Sequence, residues 1–294
     1  MKKRIPYLLL LVLFAGCEKS VSFNLNNSTS GLVVEAIIEN EQPPVVVLST
    51  SLDYFSEITP ELLFNSFVHN AEIIISNGAK SQRLKEYSYK TQANIEVYYY
   101  SIDSANLPNA FLGKLDSDYT LSIKVDGKEY RSRTSIPPLT KTLDSLWWIK
   151  SVNNPDTSKV VLMTKVTDPP AYGNYIRYFT KVGNGPCLPG INSVFDDQII
   201  NGSTYEIEVE KGIDRNEKID LDDYSFFERG DTVTVKFCNI DKATFDFWRT
   251  MEYSYASIGN PFSTPTKVLG NIEGGALGYF GGYAVQYTSL IIPR

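Results

Sequence analysis

The sequence predicts an all-β protein with one or two short helices. It reads as an N-terminal immunoglobulin- or transthyretin-like β-sandwich followed by a second β-rich domain, sandwich or barrel. Three observations carry this. Short runs rich in Val, Ile, Tyr and Thr recur along the chain, with turn residues between them. Several runs alternate apolar and polar positions, the period of a half-buried strand. One segment combines an N-cap residue with apolar positions at helical spacing.

In chain order, GLVVEAIIE (31–39) places Leu32, Val34, Ala36 and Ile38 on one face, with Glu35 and Glu39 on the other. PPVVVLSTS (43–51), AEIIIS (71–76) and IEVYYYSI (95–102) follow, and Thr59-Pro60-Glu61 opens a short helical turn. YTLSIKV (119–125) and KEYRSRT (128–134) flank Asp126-Gly127, the pair that favours a type I′ hairpin turn. Ile136-Pro137-Pro138 breaks the pattern and bounds a first domain at 31–137 and a second at 138–294. The second holds LDSLWWIK (143–150), VVLMTKVTD (160–168), YIRYFTKV (175–182), STYEIEVE (203–210), DTVTVKFCNI (231–240) and YAVQYTSLII (283–292). Asp241 caps a helix near 242–255 in which Thr244, Trp248, Met251 and Tyr255 share a face.

NIEGGALGYFGGY (271–283) has five glycines in thirteen positions. It lacks the terminal Gly-Lys-Ser/Thr of a phosphate loop and the G-x-G-x-x-G spacing of a dinucleotide fingerprint. Leu277, Tyr279, Phe280 and Tyr283 are too large and apolar for a flexible linker. The glycines therefore serve the fold, at bends or close backbone approaches.

The opening MKKRIPYLLLLVLFAGC has a basic n-region and an apolar run short of the roughly 20 residues that span a bilayer. It reads as a signal peptide (1–16) ending at a lipobox, with Cys17 lipidated by palmitate-type chains and 17–30 a polar tether. Several acyl chains suffice for stable anchoring, so an outer-membrane lipoprotein facing the cell surface or the periplasm is expected. The chain carries 28 basic and 34 acidic residues, a net charge of −6. Losing Lys2, Lys3 and Arg4 makes the body more acidic still, which argues against a nucleic-acid partner.

With Cys17 spent on lipid, Cys187 and Cys238 remain as a candidate disulfide, although Cys238 fits equally well as a buried thiol. The single histidine, His69, leaves a Cys/His zinc site short of ligands, and a Ser-His-Asp triad could form only around it. No cofactor is expected. The acidic stretch 212–231 offers Asp214, Asn216, Asp220, Asp222 and Asp223 as calcium-type oxygen ligands. An EF-hand register from Asp214 puts Lys218 at the fifth position and no glycine at the sixth, so a solvated loop is the better reading. The aromatic clusters at 98–100, Trp147-Trp148 and Phe226-Phe227 split between two strand faces, which makes core a better reading than sugar stacking.

NPFSTPTKVLGNIEGGALGYFGGY (260–283) resembles the C-terminal signature of a large family of uncharacterised Bacteroidota lipoproteins, a domain-of-unknown-function family. LVVEAII, DYTLSIKVDGKEYRSRT, VTDPPAYGNYIRYF, SVFDDQIINGSTYEI and FERGDTVTVKFCNIDKATFDFWRT fit the same family pattern in order. Such genes stand beside SusC-type TonB-dependent transporters. The resemblance implies a non-enzymatic accessory lipoprotein that binds a nutrient ligand, such as a glycan or peptide, or the transporter itself. It lends no catalytic residues. The alternatives are a structural or adhesive surface module, which requires no concave pocket, and a carboxylate-dependent glycoside hydrolase.

Overall fold

The computed structural model describes residues 31–52, 59–91, 94–152, 154–215, 217–220, 223–258, 260, 263 and 266–294. The signal segment, Cys17 and the tether lie outside them. From Gly31 onward the chain forms one compact unit.

Alternation dictates the first layers. In β1 (Leu32–Glu39) the even-numbered residues are buried, and in β2 (Val45–Thr50) Val46 and Leu48 face the same way. A short helix, α1 (Pro60–Ser66), follows, capped by the Thr59 side chain accepting from Leu62 N. β3 (Glu72–Ser76), β4 (Ser81–Lys90) and β5 (Glu96–Ile102) come next. β6 (Ser117–Val125) and β7 (Lys128–Ile136) form the expected hairpin, with Asp126 and Gly127 at φ 49° and 74°. Both central residues are left-handed, as a type I′ turn demands. β4 joins two layers: Ser81–Arg83 pair with β3, and Leu84–Lys90 pair with β5. Val34, Ile38, Leu48, Ile73, Ile75, Leu121 and Ile123 fill the core between them. Each such side chain contributes about 1.5–3 kcal/mol by burial.

The remaining strands are β8 (Thr142–Lys150), β9 (Lys159–Thr167), β10 (Tyr175–Val182), β11 (Leu188–Phe195), β12 (Thr204–Val209), β13 (Phe227–Glu228), β14 (Thr232–Ile240) and β15 (Leu277–Ile291). One eleven-stranded sheet runs in the order β11-β10-β14-β15-β1-β2-β5-β4-β3-β6-β7. A four-stranded sheet, with β9 paired to β8, β12 and β13, packs on its β10-β14 portion around Leu162, Val166, Ile176, Val235 and Phe237. On the opposite face lies α2 (Lys242–Ala256), over a third cluster that includes Cys238, Ile240, Tyr279 and Tyr283. Among the described residues no helix is long and apolar enough to cross a membrane.

α2 starts where the sequence places it. Asp241 Oδ1 accepts from Thr244 N (2.8 Å), while Oδ2 accepts from Thr134 Oγ1 (2.8 Å) and Ser135 N (3.1 Å), tying the cap to β7. Of the expected face, Thr244 is buried and Trp248 and Met251 pack on the third cluster, while Tyr255 is 39% exposed; Phe245, Phe247 and Glu252 are buried as well, the last against β11.

The second half of the glycine stretch opens β15, so this strand begins six residues before the expected Tyr283. Leu277–Tyr283 pair in parallel with β1, and Tyr283–Ile291 pair antiparallel with β14. Phe280 and Ala284 enter the first core, Tyr279 and Tyr283 the third, and Leu290 and Ile292 the second. Gly278 (φ 99°) and Gly282 make this route passable: a Cβ would lie 1.9 Å from Val34 O at the first and 2.2 Å from Ser135 O at the second.

Candidate functional site

The second sandwich is incompletely filled. A cavity of about 1110 Å³ is lined by both sheets, including the edge strands β11 and β12, and by α2. A sealed apolar void costs about 24 cal/mol per Å³, so one this large would cost roughly 25 kcal/mol, beyond the ~5–15 kcal/mol that holds a domain together. The cavity is instead open. Ile199 (96% exposed), Tyr253 (53%) and Ile207 (42%) stand at its rim, large apolar side chains that a filled sandwich would cover.

Its interior comes from Leu143 and Val166 on one sheet and Ile176, Tyr178, Val235 and Phe237 on the other. The charged groups are mostly acidic: Asp196, Glu208, Glu210 and Glu252 against Arg249. Arg249 Nη1 lies 3.8 Å from Asp196 Oδ2. Glu252 is buried and fully engaged, accepting from Ser193 N (3.0 Å), Ser193 Oγ (2.5 Å) and Arg215 Nη2 (3.1 Å). Burial, reinforced by the neighbouring Glu210, holds the Glu208 carboxyl above its ordinary value of 4.5. The Tyr178 phenol is raised chiefly by burial. Behind Tyr205 lies a wholly buried ion pair, Lys141 Nζ to Asp168 Oδ1 at 3.0 Å, with the ammonium 5.6 Å from the Tyr205 ring centroid. Such a site suits an apolar ligand that carries a cationic or hydroxyl group.

The candidates from the sequence fall elsewhere. His69 Nδ1 contacts Glu86, and its ring packs edge-on against Tyr98. In the Tyr98–Tyr100 run Tyr100 is buried, while Tyr98 faces Phe64 and Tyr99 faces Tyr87, the division between faces that strand geometry requires. Of the acidic stretch, Asn216 and Asp222 lie outside the described residues. Asp214 and Asp220 are exposed, and Asp223 Oδ2 accepts from Lys159 Nζ (2.7 Å). Among the described residues no three His, Cys, Asp or Glu side chains are grouped to hold a metal.

Cys187 and Cys238 do not form the bridge: both are free thiols, Cys187 exposed before β11 and Cys238 buried in the third cluster. Burial pushes the Cys238 thiol from 9.0 up to about 12. An unfolded thiol ionises first, so the stability this group confers is intact below pH 9 and drains away between there and about 12. Iodoacetamide at pH 8 is expected to label Cys187 in the native protein and to spare Cys238 until denaturant is added. Mass mapping checks this, and equal native labelling would contradict it.

The cavity itself was not legible in the sequence. Pro189, Gly190, Asn192 and Ser193 hide β11, one of its walls, and its lining is scattered from Leu143 to Thr266. The one available signal was Tyr205, Ile207 and Val209 alternating with three glutamates, an apolar stripe beside an acidic one. The search of curated proteins finds no match. A family model described as "Domain of unknown function (DUF4249)" matches residues 18–289, and the chain belongs to that family.

Proposed function

We propose that this DUF4249 protein is a non-enzymatic accessory lipoprotein of the outer membrane, like those of Bacteroidota. In this reading, acyl chains on Cys17 hold it in place, and it binds an apolar nutrient ligand for a neighbouring SusC-type TonB-dependent transporter. The observation that carries the binding role is the open cavity of about 1110 Å³ with apolar walls and acidic polar groups. Its size is that of small-molecule sites, about 300–1,000 Å³, or slightly above. A purely adhesive module requires no such concavity. Glycoside hydrolysis is the weaker alternative, because Glu252 is engaged by Ser193 and Arg215, Asp196 lies 3.8 Å from Arg249, and Glu208 and Glu210 stand on one side, at the β12 wall.

One variant series tests both parts. The Cys17→Ser chain is expected to leave the membrane fraction and, free of detergent, to bind the neutral apolar dye Nile red. Adding Ile207→Trp at the exposed cavity mouth should weaken dye binding about tenfold or more, a change of ~1.4 kcal/mol or above, without lowering Tm. A Cys17→Ser chain that still sediments with membranes sinks the anchor. Dye binding untouched by Ile207→Trp sinks the ligand site.

A further inference from the structure

A second, smaller pocket of about 370 Å³ lies on the α2 face of the large sheet, between β1, β10 and the segment at Cys187–Pro189. At its base stands Arg177, buried within β10. Its guanidinium lies 3.4 Å from the centroid of the Trp248 ring and 4.6 Å from that of Phe179. Nε donates to Ser193 Oγ (3.1 Å) and Nη1 to the Tyr283 hydroxyl (3.4 Å). A guanidinium has five N–H donors, so these two bonds leave Nη2 without an acceptor among the described residues.

Glu35, on β1, lines the same pocket. Its carboxylate makes no hydrogen bond or ion pair among the described residues, although it feels the Arg177 charge. It is reachable by water, yet protein surrounds it closely enough that desolvation, opposed by Arg177, holds the carboxyl above 4.5. Of the other charged residues that line the pocket, Lys236 and Glu39 are in direct contact, Arg215 pairs with Glu252 (3.1 Å) and Asp214 is exposed. A carboxylate and a guanidinium edge thus share one small chamber without touching, and apolar surface from Phe179, Leu188 and Ile213 lies around them. A carboxylate and a guanidinium edge that face one pocket offer complementary ends to a ligand carrying both charges.

We propose that this pocket binds a small zwitterion, an apolar α-amino acid, with its ammonium on Glu35, its carboxylate on the free edge of Arg177 and its side chain against Phe179, Leu188 and Ile213. Arg suits the anionic end because its fork meets a carboxylate with two parallel hydrogen bonds. The site is separate from the larger cavity and does not depend on that cavity's role.

The test is calorimetric titration of the full lipoprotein in mild detergent with L-phenylalanine and L-leucine. Phenethylamine, which lacks the carboxylate, and 3-phenylpropionic acid, which lacks the amine, are the comparison compounds. The amino acids are expected to bind at least about tenfold tighter than either comparison compound. Glu35→Gln, an isosteric change at an accessible position, should cut amino-acid affinity about tenfold or more, whereas Ile207→Trp in the other cavity should leave it unchanged. Absence of heat for every amino acid at millimolar concentration overturns the proposal. So does binding that survives Glu35→Gln, or phenethylamine binding as tightly as phenylalanine.

Discussion

Gly278→Ala is expected to abolish the native fold or to lower its stability by about 4 kcal/mol or more, the range reserved for severe steric or backbone lesions. Two effects act together. The residue sits at φ 99°, where side-chain-bearing residues are strained, and its Cβ would lie 1.9 Å from Val34 O, inside the β1–β15 pairing. Neither partner can retreat, because Val34 is itself buried in the first core. For a body of this size, such a loss lowers Tm by roughly 10 °C. Gly275 supplies the control. It also has positive φ, 87°, but a Cβ there meets nothing within 4 Å. Gly275→Ala should therefore cost only about 1–2 kcal/mol, the price of left-handed backbone alone. Thermal melts of the two variants measure the difference. Equal losses would show that the crowding at Val34 is not what excludes a side chain.

Removing one member of the Lys141–Asp168 pair is the second large expected effect. Both side chains are 0% exposed, and the pair joins the segment after Pro137-Pro138 to the end of β9. The position of Lys141 is fixed independently, since its backbone N–H donates to Asn239 Oδ1 (3.0 Å) and its carbonyl accepts from Asn239 Nδ2 (2.9 Å). Asp168 Oδ2 in turn accepts from Gly202 N (3.0 Å). Lys141→Met leaves a buried carboxylate without its counter-charge, a lesion worth about 3–5 kcal/mol. Lys141→Met with Asp168→Asn removes both charges and keeps an acceptor for Gly202, so the double variant is expected to be more stable than Lys141→Met alone. Chemical denaturation of the two variants reads this directly, and a double variant no better than the single would mean that the charges do not interact.

Much of the fold was legible because alternation and turn chemistry act locally. The β6–β7 hairpin follows from Asp126-Gly127, and the start of α2 follows from Asp241. The elements that escaped are those whose residues answer to distant neighbours. β4 reads as a polar stretch because it passes from one layer to the other and buries only Gln82 and Leu84. β11 carries Pro189 and Gly190, which an edge strand tolerates and a central one does not. The glycines serve close backbone approach, but that Gly278 and Gly282 do so inside a strand depends on Val34 and Ser135, which lie against them. Arg177 looks like a solvent-facing residue of YIRYFTKV until Trp248 covers it from a helix far along the chain. Local pattern thus gave strands and caps, while the two concavities arise where separate segments converge.

The parallel union of β1 with Leu277–Tyr283 also dictates an order of assembly. A ribosome or an export channel that delivers the chain N-terminus first presents β1 long before its neighbour exists. Until that neighbour arrives, the apolar edge from Val33 to Glu39 stays open, a template for wrong partners. The late strand is the clasp that closes this edge.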